Sequence, residues 1–409
     1  MGKNKKTDLN PHRRDFLRLS GLGLGASMMG FSQLGCSPKT EEVKLPEIQG
    51  FERSEEDPSE GWVPFSDRKV RVGLVGYGVC KFAADFGFQN HPNVEVVAVS
   101  DLFPDRCAEL AKVTGCNKTY PSLEELVKDD NIEAVFVATD APSHAKHCME
   151  VLKHGKHVAV AVPATFGSIE EGEQLLEVVR NNKGLKYMMF ETSCFRKNLY
   201  EMKAIYEAGG FGEVVYSEGE YWHYSPDGID SYKKWRDQSP PQWYPTHNTA
   251  YYVGVTGGTF TEVSCIGRPS LLPKYADANN QYKNPYATEI AFFKTINGGI
   301  SRQSLSNDTP GHGAEAGRLR GTRGSYNEGY EGLEKNLPNL TRPPIPPGVP
   351  AGGHGGSHGR LMNEFIASII QDRKPLVDIV TALNMTIPGI VAHESAMRGG
   401  EWLKIPQYT

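Results

Sequence analysis

Tyr244-Pro245-Thr246-His247 sets an imidazole behind a proline-stiffened approach, and a neutral imidazole can both take and give a proton near pH 7. His247 is therefore the first candidate for acid/base work, with Tyr244 placed to hold or share the proton. A histidine satisfied beside a helix end, and a tyrosine packed under a ligand, are the alternatives. His354 lies in Gly352-Gly353-His354-Gly355-Gly356, either as a ligand-facing histidine on a mobile lid or as part of a flexible exposed loop. His354 and His358 are four apart, the spacing of a helical metal pair, but the glycines between them argue against a helix and no metal is assigned. Glu191, closing an apolar run, is a candidate base or hydroxyl ligand, with a salt bridge to Arg196 as the alternative.

A different chemistry is written around Gly76-Tyr77-Gly78-Val79. An apolar β-branched run, residues 70–75, breaks into these glycines and then into a helix-like segment, 81–89, and a second apolar run, 94–99, ends in Ser100-Asp101. Glycines let a backbone approach a pyrophosphate, a helix N-terminus offers N–H groups, and an acid at the tip of the second strand accepts from a ribose diol. That acid, Asp101, repels a 2′-phosphate and so favours NAD over NADP. The third glycine of the usual fingerprint is replaced by Lys81, so the position that serves helix–strand packing is altered. Thr139, Pro142, His144 and Pro163, at the ends of the next two strands, complete the expected cofactor set, His144 by ordering the nicotinamide ribose.

The elements that must position these groups keep a βαβ rhythm. Helices are expected over 104–113, 122–128, 145–154 and 169–181, and strands over 134–139, 157–162 and 186–191; Ser122 with Glu125 makes a capping box. Beyond residue 190 the pattern turns to strands and loops. Residues 214–223 alternate, with Glu218, Glu220 and Trp222 on one face and Tyr221 and His223 on the other. Residues 225–245 form an aromatic, proline-bearing loop suited to a sugar, whose C–H faces stack on rings; Tyr221, His223 and Trp243 are the candidate substrate contacts. A hairpin is expected around Asn297-Gly298-Gly299, a long proline- and glycine-rich loop over 336–358, and closing helices over 361–371 and 380–399. The fold class is α/β: a doubly wound Rossmann domain, 68–190, then an α/β domain, 191–409.

The N-terminus reads as a targeting segment. Arg13-Arg14-Asp15-Phe16-Leu17 precedes a glycine-rich apolar stretch and resembles a twin-arginine signal over residues 1–36. Leu34-Gly35-Cys36 resembles a lipoprotein cleavage site, with Gln33 where an aliphatic residue is usual; a plain cut, or none, is the alternative to lipidation of Cys36. Residues 37–67 are a polar linker. The expectation is an exported protein, periplasmic or anchored to the membrane by lipid. A net charge of −5 without a basic cluster excludes nucleic acid as a partner. Seven cysteines show no zinc-like spacing, and free buried thiols are expected.

Thr139-Asp140-Ala141-Pro142-Ser143-His144 and Gly155-Lys156-His157-Val158, in this order of units, resemble the Gfo/Idh/MocA family of nicotinamide-dependent, sugar-acting proteins. The resemblance implies a second domain whose mostly antiparallel sheet carries substrate and subunit interface, hence a homo-oligomer. Where that family usually has Glu-Lys-Pro, this chain has Ala161-Val162-Pro163, so the lysine of proton transfer does not carry over. The missing lysine, the Tyr-Pro-Thr-His motif, the Gly-Gly-His-Gly-Gly loop and Met188-Met189-Phe190-Glu191 resemble the NAD-dependent glycosidase branch, glycoside hydrolase family 109. The residues after His247 depart from it. The resemblance implies an NAD-dependent oxidoreductase on a sugar or glycoside, its cofactor tightly bound and internally recycled. The alternatives are an oxidation–elimination glycosidase and a non-catalytic sugar-binding lipoprotein.

Overall fold

The computed structural model describes residues 54, 59–225, 229–270, 272 and 280–409; the twin-arginine and lipoprotein-like motifs, Cys36 included, lie outside them. Six short strands, most of them rich in valine, pair into one parallel sheet: β1 (Val70–Val75), β2 (Val94–Ser100), β3 (Thr119–Tyr120), β4 (Ala134–Val137), β5 (His157–Ala161) and β6 (Tyr187–Phe190). Their spatial order is β3-β2-β1-β4-β5-β6, so the direction of winding reverses between β1 and β4. Ligands of such sheets bind beyond the carboxyl ends of the strands at that reversal.

The helices between these strands are α1 (Phe82–Asp85), α2 (Pro104–Thr114), α3 (Leu123–Leu126), α4 (His144–Lys153) and α5 (Ile169–Asn181). Ser122 caps α3 by accepting from the Glu125 N–H at 3.4 Å, as its spacing predicts. The helix expected over 81–89 is instead a single turn, α1, succeeded by Gly87 at φ 78° and a 3₁₀ turn, Phe88–Asn90. The break buries Phe86 and Phe88 against Phe136 and Phe190, with ring centroids 5.0 to 6.1 Å apart. Each such ring contributes about 1.5–3 kcal/mol by burial, more than one extra helical turn would.

After α6 (Lys197–Glu207) the chain builds a second sheet from β7 (Val214–Trp222), β8 (Phe260–Pro269), β9 (Tyr286–Thr295), β10 (Ile300–Ser306), β11 (Ala314–Gly321), β12 (Gly324–Tyr326), β13 (Tyr330–Gly332) and β14 (Leu403–Lys404). Its order is β13-β12-β11-β7-β10-β9-β8-β14, antiparallel except for the β7–β10 pair. The expected hairpin is β9–β10, with Ile300 opposite Lys294. One helix, α7 (Thr246–Thr256), lies buried on this sheet. It comes so close because of two strand glycines: a Cβ on Gly219 would stand 2.2 Å from the Asn248 carbonyl oxygen, and one on Gly317 2.1 Å from Tyr251.

The last elements are a single turn α8 (Gly353–Gly356), α9 (His358–Ile370), which returns to β6 of the first sheet, and α10 (Ile379–Met397), which lies mainly against β8 of the second sheet and α7 while also reaching α5 and β6. Leu361, Met362, Phe365 and Ile366 of α9 pack in the same core as Phe86, Phe136 and Phe190. The chain beyond residue 190 thus supplies one wall of the dinucleotide domain as well as the second sheet. Among the described residues no helix is long and apolar enough to cross a membrane, and of the six described cysteines all but Cys80 are buried and all are free.

Candidate functional site

The crevice at the reversal point has a volume of about 430 Å³. Its floor is the glycine bend. Gly76 adopts φ 95°, and a Cβ there would lie 2.4 Å from the Ala138 carbonyl oxygen; a Cβ on Gly78 would meet nothing within 4 Å. The first glycine therefore lets β1 and β4 come together, and the second leaves open space above the backbone. The N–H groups of Gly78, Val79 and Cys80 have no acceptor among the described residues, the arrangement a pyrophosphate satisfies. Asp101 stands beside the bend: Tyr77 N–H donates to its Oδ2 at 2.6 Å and Phe103 N–H to its Oδ1 at 2.8 Å. Each oxygen keeps a lone pair for a ribose hydroxyl. Lys81, in the third-glycine position, takes φ 50° and pairs its ammonium with Glu109 at 2.7 Å, and both side chains belong to residues that line the crevice. With α1 reduced to one turn, the oriented loop amides rather than a helix dipole are what this bend offers an anion.

Thr139 and His144 line the crevice, whereas Pro142 and Pro163 are not among its lining residues. His144 braces the strand ends: Nδ1 lies 2.8 Å from the Pro163 carbonyl oxygen and Nε2 3.2 Å from that of Thr139. Burial pushes its pKa down to about 4, so it is neutral, and the shorter contact marks Nδ1 as the nitrogen carrying the proton. Both ring nitrogens thus meet backbone, which makes His144 a brace between β4 and β5 rather than a ribose ligand.

An inner pocket joins the crevice past Cys80, Ala161 and Val162 and is lined by Thr192, His223, Arg236, Tyr244, His247 and His354. His247, in the first turn of α7, points Nδ1 at Glu191 Oε1, 2.9 Å away, with Glu315 Oε1 at 3.7 Å. Its Nε2 has no partner among the described residues. Glu191, wholly buried at the end of β6, also accepts from the Ser193 N–H at 2.8 Å. It does not pair with Arg196. Arg196 donates to Glu315 Oε2 at 2.6 Å, and Ser193 Oγ donates to Glu315 Oε1 at 2.6 Å. Burial pushes the His247 pKa down, but the two carboxylates push harder and leave it above the usual value; burial raises Glu191, and the His247 charge and hydrogen bond bring it below. Ligating atoms of Glu191, His247 and Glu315 lie within 4.8 Å of one another. Because Arg196 and the imidazole already balance the two carboxylates, we assign no metal there.

Tyr221 and Tyr244 flank the imidazole, with centroids 4.7 and 5.6 Å from it. Burial raises both phenols, so each remains a hydrogen-bond donor. His354 is buried, and its ring stacks on His247 at 5.8 Å and 18°; the exposed-loop reading of residues 352–356 does not hold. Arg342 ties this strap down, donating to the Gly355 and Phe195 carbonyls at 2.9 Å. Trp243 lines neither cavity. It packs on Phe166, Tyr282 and His393 at 5.4 to 5.6 Å, because the 3₁₀ turn Pro241–Trp243 directs it into the core while Tyr244 faces the pocket. Arg236, which sequence reasoning passed over, lines both cavities between the rings of Trp235 and Tyr244, 4.3 and 5.2 Å away, and pairs with no carboxylate among the described residues.

The cradle over Gly78, the orphan amides and Asp101 together fit a dinucleotide, and comparison with known families agrees. Residues 70–190 match the Gfo/Idh/MocA family. Its description is an oxidoreductase family with an NAD-binding Rossmann fold, so the cofactor of this domain is NAD. A glycosyl hydrolase family 109 protein of Streptomyces filamentosus is 26% identical over 95% of this chain and 88% of its own length. A family 109 protein of Bacteroides fragilis is 32% identical over 41% of this chain and 38% of its own length. Among solved structures, scyllo-inositol dehydrogenase from Lactobacillus casei superposes with a TM-score of 0.67 at 18% identity, over 83% of this chain and 99% of that one. Levoglucosan dehydrogenase with NADH and levoglucosan gives 0.68 at 18% identity, over 83% and 100%. These structures show the shared fold.

Proposed function

We propose that this protein is an NAD-dependent oxidoreductase acting on a sugar or glycoside, with its cofactor retained and returned to its starting state in each cycle. The observation that carries the reading is the Glu191–His247 pair at the inner end of the NAD crevice. NAD, when bound, supplies a hydride acceptor for a sugar C–H. His247 takes the hydroxyl proton at Nε2, and Glu191 and Glu315 stabilise the imidazolium that results, the arrangement by which a carboxylate orients a catalytic imidazole. Tyr244 donates to the substrate oxygen, and Arg236, over the rings of Trp235 and Tyr244, holds a further electronegative oxygen of the sugar. Asp101 and the Gly78–Cys80 amides fix the dinucleotide.

An NAD-dependent glycoside hydrolase working by oxidation and elimination is the second reading. It is supported by the relatives named as family 109 and by Ala161 and Val162 lining the crevice where a glutamate and lysine are usual. In that cycle the ketone formed acidifies the neighbouring C–H, a base removes that proton, the glycosidic substituent leaves, water adds, and the hydride returns. Mass spectrometry of the material released on denaturing the purified protein, then a panel of p-nitrophenyl glycosides, separates the readings. Nitrophenol release with solvent deuterium entering beside the oxidised carbon supports the hydrolase; a keto-sugar matched by a reduced sugar supports the oxidoreductase. No released nicotinamide and no binding of added NAD sinks both and favours a non-catalytic sugar-binding protein. Arg13-Arg14 and Leu34-Gly35-Cys36 support export through the twin-arginine pathway with a lipid anchor, and the family resemblance supports a homo-oligomer.

The pair makes a pH prediction. A base must be unprotonated, so kcat rises with pH through the His247 pKa, which lies above 6.5. Glu191→Gln removes a carboxylate that raises this pKa, so the limb moves to lower pH while the plateau falls by ~10–100-fold with the weaker, less oriented base. A profile with the limb unmoved shows that Glu191 does not act through His247.

A further inference from the structure

Arg236 brings a fixed positive charge to the place where the crevice meets the inner pocket, and its backbone holds it there. The Arg236 N–H donates to Ser231 Oγ at 3.1 Å, and Tyr282 Oη donates to the neighbouring Trp235 carbonyl at 2.7 Å. The buried Trp235 ring packs edge-on against Phe166 at 5.2 Å. The half-buried guanidinium lies over this ring and that of Tyr244, 4.3 and 5.2 Å from their centroids. Stacking of this kind covers the faces of a guanidinium and leaves its N–H edge to acceptors. The Tyr244 hydroxyl is one such acceptor. A guanidinium only donates, so Tyr244 keeps its own proton for a ligand.

The described residues around this charge supply no counter-charge. No Asp or Glu lines the inner pocket. The two buried carboxylates beyond it are engaged, Glu191 by His247 and Glu315 by Arg196 and Ser193. In the outer crevice Asp101 accepts from the Tyr77 and Phe103 amides, Glu109 pairs with Lys81 and Asp140 accepts from Ser143 Oγ, and none of the described acids pairs with Arg236. Cys80, Tyr221 and Tyr244, which do face the guanidinium, are pushed up by burial and stay neutral near pH 7. The charge is also local, since the whole chain carries a net −5. A cation drawn out of water without an anion is costly, and a ligand that brings the anion removes that cost. We propose that the sugar taken by the inner pocket is anionic, carrying a carboxylate or a sulfate that Arg236 binds. The inference rests on the sugar-oxidising reading and deepens it by naming the substrate class. A carboxylate or sulfate can accept two parallel N–H bonds from one guanidinium. A neutral sugar leaves it unpaired, so the site selects against the neutral ligand as well as for the anion. The pyrophosphate of NAD is the other anion to be placed, and the Gly78–Cys80 amides answer it. Arg236 instead reaches the pocket of Tyr244 and His247, whose rings lie 5.6 Å apart.

The test compares ligands that differ in charge and hardly in shape. The full chain loaded with NAD is titrated calorimetrically at pH 7 with the methyl glycosides of glucuronic and galacturonic acid in both anomers, each beside its uronamide, and with methyl glucoside and galactoside beside their 6-sulfates. Each anion is set against its neutral partner, so the ratio of the two Kd values isolates what Arg236 contributes. For at least one pair the anion binds ~10–100-fold more tightly, the range that a hydrogen bond to a charged group covers. Whether the larger ratio falls on the uronates or the 6-sulfates decides between carboxylate and sulfate. Arg236→Met keeps a stem that packs on the rings without the charge, and it abolishes the ratio while NAD affinity and melting temperature stay near those of the wild type. Arg236→Lys keeps the charge without the planar fork and retains a smaller preference. Wild-type protein that binds no anion more tightly than its neutral partner overturns the proposal, whatever the variants do. A preference that survives Arg236→Met overturns it too. So does a loss of NAD affinity in Arg236→Met as large as the loss of preference, which assigns Arg236 to the phosphates of the cofactor. Neutral sugars that bind where anions do not refute the anionic substrate and leave the sugar reading standing. If no sugar of either kind binds, the sugar reading itself falls, and the role of Arg236 with it.

Discussion

Replacing His247 by glutamine lowers kcat by ~10³-fold while the protein still folds and still carries NAD, since positioned acid/base groups typically supply 10²–10⁴-fold. The reason is geometric. His247 is the ring that a buried carboxylate holds at one nitrogen while the other is left for a ligand at the inner end of the crevice. Glutamine can still donate to Glu191 and so avoids stranding a bare buried carboxylate, which would confuse a chemical loss with unfolding. Single-turnover kinetics read out the proton-transfer step, and the nicotinamide released on denaturation reports cofactor retention. A variant that keeps the wild-type rate moves the base elsewhere, with His354 next in line. A variant without bound NAD shows that His247 serves the architecture.

The cofactor end was legible because its signals are local. The β-branched run, two glycines and a strand-end acid fall within about thirty residues, and the structure puts Asp101 on the amide of Tyr77. The substrate end was legible only as a set of separate short motifs. Nothing in sequence says that Glu191 answers His247, 56 residues away, or that Ser193 and Arg196 answer Glu315 across 122 and 119. Asp85 and His358 are 273 apart, and the four-residue spacing of His354 and His358, to which no metal is assigned, lets one ring bond to the other. The failures share a physical cause: tertiary packing overrides local pattern. An aromatic cluster cuts the expected helix at 81–89 to one turn, and Trp243 leaves the ligand for the core because its 3₁₀ turn points it there. Arg236 carries no pattern at all; only its neighbours, two rings and no paired carboxylate among the described residues, distinguish it.

Gly78→Val weakens NAD binding sharply without destabilising the fold, whereas Gly76→Ala destabilises the fold itself. The two glycines look alike in sequence and differ in what a Cβ would meet. At Gly76 it would strike the Ala138 carbonyl at 2.4 Å with φ at 95°, so β1 and β4 must part or the bend must strain, at about 1–3 kcal/mol or more. At Gly78 it would project into open space within the crevice, so the fold has no reason to object. What it displaces is an anion approaching the amides of residues 78–80. Losing one charge-assisted hydrogen bond costs about 1.5–3 kcal/mol, so steric exclusion from two raises Kd for NAD by ~100-fold or more. Calorimetric titration of apoprotein with NAD, alongside thermal unfolding, reads both quantities. Gly78→Val binding NAD as the wild type does, with Asp101 intact, would place the dinucleotide away from this bend, and no hydride acceptor would then stand beside His247.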